Sequence, residues 1–171
     1  MPNWCQNILV VRSKTSRDLQ EFISKSFCEA DGSDAFFTLS GTHPMPKELE
    51  NTPTTGMPEE EKQRLIEKYG SANWYDWRID NWGCKWDVEG EIVGDFQKDL
   101  LRVEFESPWE PPRNWLKYVS IQFPNCKFLL KYREEGNQFA GETFAFRNKF
   151  HDNCWAIHEL HEEELEKDDW D

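Results

Sequence analysis

No apolar run in the 171 residues approaches the length of a membrane span, and mean hydropathy is −0.85. The opening residues, Met1-Pro2-Asn3-Trp4-Cys5, carry no basic stretch and no apolar core, so no secretory leader is expected. The five cysteines (Cys5, Cys28, Cys84, Cys126, Cys154) are odd in number, scattered, and form no Cys-x-x-Cys pair. That pattern excludes a disulfide framework and a zinc ribbon, and it suits a reducing cytosol. Basic residues are few: 20 Lys and Arg stand against 33 Asp and Glu, for a net charge of −13. Most of such a surface repels a phosphate backbone, so direct binding of nucleic acid is not expected, and neither is a membrane. There is no Gly-x-Ser-x-Gly elbow, no Gly-x-x-x-x-Gly-Lys-Ser/Thr loop and no Gly-x-Gly-x-x-Gly turn. Nothing selects one of the four histidines as a base. No catalytic residue is therefore assigned, and no cofactor is expected.

Aromatic residues are plentiful instead, at 15% of the chain, with nine Trp and twelve Phe. Rings of that size bury enough area to exclude global disorder and to support one core. The length fits a single α+β domain over residues 1–158. Residues 159–171 form an acidic tail of eight acids and one base, net −7, which leaves only −6 on the remaining 158 residues. The tail is read as solubilising; attraction of a basic protein and mimicry of nucleic acid are the functional alternatives.

The pattern along the chain predicts the elements. Trp4 to Arg12 reads as a strand. Ser13 to Phe27 reads as a helix capped by Thr15, with Leu19, Phe22, Ile23 and Phe27 on one face. Phe36 to Leu39 is short and extended. A proline-punctuated insertion spans about 41–92. Within it Pro58 and three glutamates start a helix that Gly70 ends, and Asn73 caps a second helix through Trp82. Cys84 to Val88 is expected as a short strand. Leu101, Val103 and Phe105 alternate with Arg102, Glu104 and Glu106 as a half-buried strand. Pro111-Pro112 opens a helix with Trp115, Leu116, Val119 and Phe123 inward. Cys126 to Arg133 is the next strand, and Phe139 to Arg147 with Asn153 to His158 form a hairpin. Without the insertion this is βαββαβ: a ferredoxin-like antiparallel sheet with helices on one face, a Trp-rich helical insertion and an extra C-terminal hairpin. The Trp-rich insertion is expected to cover the other face of the sheet.

Four motifs carry a family resemblance. They are Met1-Pro2-Asn3-Trp4-Cys5-x-Asn7; Asn73-Trp74-Tyr75-Asp76-Trp77-Arg78 continuing to Asn81-Trp82-Gly83-x-Lys85-Trp86-Asp87; Phe105-x-Ser107-x-Trp109-x-Pro111-Pro112; and Tyr132-x-Glu134-x-Gly136. On these the chain resembles the YubB-like group of phage- and plasmid-borne proteins of unknown function. The resemblance implies a mobile-element origin and a ferredoxin-like domain. It implies no reaction and supplies no catalytic residues. Cys84 stands where Thr or another small residue is expected.

The central segment is the candidate binding site: Trp74, Tyr75, Asp76, Trp77, Arg78, Asp80, Trp82 and Trp86. Flat rings would stack on a base, a sugar or a peptide, and Arg78 with the aspartates would select polar groups. The competing reading is a core plug whose indole N–H groups bond neighbouring acceptors. A second cluster, His151-x-x-Cys154-x-x-x-His158-x-x-His161-Glu162, has ligand chemistry, but strand alternation puts His151 and Cys154 on opposite faces, so no metal is assigned. The expected function is non-catalytic binding of a macromolecule, as a counter-defence or regulatory adaptor that engages a basic, nucleic-acid-handling host protein. The alternative is a small-ligand or nucleotide binder, enzymatic or not, that uses the Trp-rich segment.

Overall fold

The computed structural model describes residues 2–29, 34–94 and 97–157. Among these residues eight antiparallel strands form one sheet in the order β2-β3-β4-β5-β1-β6-β7-β8. They are β1 Trp4–Ser13, β2 Phe27–Cys28, β3 Phe36–Phe37, β4 Gly90–Ile92, β5 Leu100–Pro108, β6 Cys126–Glu134, β7 Phe139–Phe146 and β8 Lys149–Ala156. Among the described residues four α-helices accompany them: α1 Ser16–Ser26, α2 Glu59–Tyr69, α3 Trp74–Asn81 and α4 Arg113–Gln122. The central four strands, β4-β5-β1-β6 with α1 and α4, make the ferredoxin-like unit, and β7–β8 extend it as the expected hairpin.

Alternation decides which side of the sheet is buried. In β1, Cys5, Asn7, Leu9 and Val11 are buried on one face, and Trp4, Gln6, Ile8 and Arg12 are exposed on the other. Leu101, Val103, Phe105, Phe128 and Leu130 continue the buried face. Leu19 and Phe22 of α1 and Trp115, Leu116 and Val119 of α4 pack in the same core. Phe22 meets Phe123 and Phe128 edge-on at 5.3 and 5.4 Å.

The start and stop signals act as their chemistry requires. Thr15 Oγ1 accepts from Asp18 N–H at the head of α1. Asn73 Oδ1 accepts from Tyr75 and Asp76 N–H at the head of α3. Gly70 ends α2 at φ +79°, a left-handed conformation that glycine adopts at least cost.

Two expectations about the insertion are corrected. Its strand is Gly90–Ile92, whereas Cys84 to Val88 is held as a loop by side chains. Asp87 Oδ1 accepts from Leu39 and Val88 N–H at 2.8 and 2.9 Å, and Cys84 Sγ–H points at Trp86 O. That carboxylate takes the Val88 amide, which a strand would pair. The insertion also packs beside α4, on the helical side of the sheet. Trp82 Nε1–H donates to His43 O at 2.9 Å, and Trp115 N–H donates to Trp82 O at 3.2 Å. Its rings find acceptors and apolar neighbours there, so among the described residues no element lies across the opposite face. Among those residues no helix is long and apolar enough to cross a membrane.

Candidate functional site

The eight Trp-rich residues do not converge on one site. Trp77 and Trp82 are 4% and 1% exposed and meet edge-on at 5.7 Å in the core. Trp74 is half-buried against that core, and Tyr75 is exposed beside it. Arg78 lies between rings, its guanidinium 5.2 Å from Trp74 and 5.3 Å from Trp82. Asp76 accepts from Asn73 Nδ2 at 2.7 Å and Asp80 from Ser71 Oγ at 3.3 Å, so both serve the ends of α3. Trp86 alone stands elsewhere, at the rim of the open sheet face.

That face carries a shallow trough of about 850 Å³. Trp4 and Trp86, 47% and 37% exposed, stand together at one end with ring centroids 6.4 Å apart. Lys85 Nζ lies 4.6 Å from the Trp86 ring. The wall formed by β4, β5 and the loop before β4 carries Asp87, Glu89, Glu91, Glu104 and Glu106. The β6 wall carries Lys131 and Arg133. Strand register gives rows across the floor: Glu91, Glu104, Ile8 and Lys131 in one, Glu106, Gln6 and Arg133 in the next. Glu91 and Glu104 stand directly opposite each other on adjacent strands, an arrangement that like charges destabilise. Asp87 spends its oxygens on backbone amides. Glu89, Glu91, Glu104 and Glu106 make no ion pair among the described residues.

Several motif residues build the fold that frames this trough. Asn7 Nδ2–H reaches Cys5 O and Ser107 Oγ, each at 2.8 Å, and Ser107 Oγ–H donates to Glu110 O at 2.7 Å. This buried knot locks β1 to the end of β5. Glu134, buried, accepts from Gly136 and Asn137 N–H at 2.6 and 2.7 Å and shapes the turn after β6. Trp109 takes φ +70°, strained for a bulky residue, with its N–H on Asn3 O at 2.9 Å.

The titratable groups are arranged for structure. Burial pushes the Cys5 and Cys84 thiols up to about 12 and Cys126 up to about 11, so these three stay protonated and unreactive at neutral pH. Burial pushes the Asp152 carboxyl up, but bonds from Thr143, Arg113 and Tyr132 outweigh it and bring it below the usual range. No three His, Cys, Asp or Glu converge to hold a metal among the described residues; His158 and His161 lie outside them.

A family described as the ferredoxin-like domain in Api92-like protein matches residues 81–170, over half of the chain. The chain belongs to the Api92-like family. The matched region of this Api92-like chain begins at the end of α3 and takes in β4 to β8, and so holds much of the trough. The crystal structure of a protein api92 from Yersinia pseudotuberculosis shares the fold, with a TM-score of 0.50 and 12% identity over 91% of this chain and 98% of that one. At that identity the likeness shows the fold alone. No curated protein sequence matches the chain.

Sequence reasoning singled out Trp86 and missed Trp4, Glu91, Lys131 and Arg133 as neighbours in one trough. The signal was present for β1: Trp4, Gln6 and Ile8 share the parity opposite to the apolar Cys5, Leu9 and Val11.

Proposed function

We propose that this Api92-like protein is a non-catalytic binding protein that holds a macromolecular partner in the open-face trough. The partner is a host protein that presents a basic, extended segment. With the mobile-element setting that the YubB-like resemblance implies, the role is that of a counter-defence or regulatory adaptor in the bacterial cytoplasm. The observation that carries this reading is the set of four carboxylates that make no ion pair among the described residues, with Glu91 against Glu104, beside the exposed Trp4–Trp86 pair. A cationic side chain relieves that repulsion and lies favourably over an indole face. A phosphate backbone meets the same carboxylates with repulsion.

The test is a titration with an arginine-rich peptide and, separately, with single-stranded DNA and with nucleotides. The peptide is expected to bind, to quench tryptophan fluorescence and to weaken as salt rises. Trp4→Ala and Glu104→Lys are expected to stay folded and lose that binding. Preference for DNA or a nucleotide, or no peptide binding, overturns the reading. Affinity purification from the host, followed by mass spectrometry, then names the partner.

A further inference from the structure

We infer that the chain forms a two-fold homodimer through antiparallel pairing of β8 with β8 of a second copy, which joins the two sheets edge to edge. The two sheet edges differ. β2 is two residues long and too short to pair further, whereas β8 runs for eight residues without proline or bulge. The direction of its backbone groups follows from its bonds to β7. Ile157 N–H donates to Gln138 O at 2.8 Å, and the Asn153 carbonyl points at Gly141 of β7. Alternation then turns the N–H and C=O of Phe150, Asp152, Cys154 and Ala156 outward. These form a row of donors and acceptors left open by the described residues.

Self-complementarity selects the register. A two-fold axis perpendicular to the sheet keeps the faces continuous, so residues of one parity must meet the same parity. Centring on Asp152 sets two carboxylates opposite each other. Centring on His151 sets Phe150 against the partner's Asp152. Centring on Asn153 or on Cys154 avoids both, and the Asn153 register pairs the longer stretch of the strand. It places Asp152 opposite the partner's Cys154, Phe150 opposite the partner's Ala156, and His151 opposite the partner's Trp155. The outward residues then exchange about eight interchain hydrogen bonds. Lys149 falls beside the partner's Ile157, after which the sequence turns acidic.

Three measurements test this, and none depends on the trough. Sedimentation velocity of the full chain is expected to give twice the 20.4 kDa of one copy as concentration rises from micromolar to hundred-micromolar. A monomer throughout overturns the proposal. Cys154→Pro removes an outward N–H that β7 does not use, a position where an edge strand tolerates proline. It is expected to stay folded by circular dichroism and to become monomeric; a persisting dimer overturns the proposal. Asn153→Cys in a Cys154→Ser background puts two sulfurs on the axis in a non-hydrogen-bonded pair, with Cα atoms about 4.5 Å apart. Oxidation is expected to link it covalently, whereas His151→Cys in the same background is not linked. Linkage of the second variant, or of neither, refutes the register and the dimer with it.

Discussion

Two tryptophans in this chain have opposite duties, and single substitutions separate them. Trp82 is 1% exposed, and its indole N–H is bonded to His43 O. Trp82→Ala leaves a cavity and an unpaired carbonyl, and is expected to cost about 3–5 kcal/mol, a large share of a domain's stability, and so to lower the urea midpoint steeply. Trp4→Ala, on the open face, is expected to cost far less and to leave the unfolding midpoint in urea nearly unchanged. Equal losses would refute the division into core and trough. His43 adds a pH signature. Its ring stacks on Tyr118 at 3.5 Å, and burial holds its pKa below the ordinary 6.5, against an opposing hydrogen bond to Asn81. The folded state thus takes up the proton less readily than the unfolded one. Stability from this group is complete above pH 6.5 and is lost as pH falls through the lower folded value. Urea midpoints at pH 7.5 and 5.5 should show that drop, and His43→Gln should show less of it. An equal drop in both proteins would assign the effect to other groups.

At the scale of elements, β4 is held in spite of its charges. It has three residues, and its Glu91 faces Glu104 across the ladder. Glu91→Lys turns that repulsion into attraction and is expected to raise stability by roughly 0.2–1 kcal/mol while weakening the basic peptide. A variant that is more stable and binds equally well would detach the carboxylates from function. The same strand marks where sequence reading stopped. β5 and β6 were legible because apolar residues alternate along them, β1 because its run from Ile8 to Val11 is apolar and β-branched between polar turns, and α1, α2 and α3 because Thr15, Gly70 and Asn73 punctuate them. Gly90–Ile92 offers no alternation, and its partner lies beyond a loop in the chain, so nothing local announces it. Nor could periodicity say which side of the sheet the insertion would choose. Trp77 and Trp82 read equally well as a lid for either face. The partners that decide it lie apart in the chain: Trp82 Nε1–H donates to His43 O, and Trp82 O accepts from Trp115 N–H at the start of α4. The trough shared this fate, since Trp4, Glu91 and Arg133 become neighbours only through strand pairing.

For the molecule as a whole, the sheet divides the labour. One face carries the two ferredoxin-like helices, the insertion and the apolar core. The other carries the trough, and the β8 edge is left for a second copy. Edge pairing of this kind sets two troughs on one continuous surface, so a bivalent partner gains affinity without a new contact. The acidic segment 159–171 lies outside the described residues, and its reading as a solubilising tail is a separate proposition. It rests on charge: net −7 in thirteen residues favours solubility through repulsion between molecules at low salt. Among the described residues the last buried member of the hydrophobic cluster is Ala145, and β8 closes on the bond from Ile157 to Gln138. Deleting Asp168 to Asp171 is therefore expected to leave the melting temperature nearly unchanged and the dimer intact, while lowering solubility. A fall of several degrees, which for a domain of this size corresponds to a loss of order 1 kcal/mol or more, would show that the segment packs on the body, with Trp170 as its anchor. Peptide affinity measured on the same truncation separates a further possibility: tighter binding would mean that these acids compete with the trough for the basic partner.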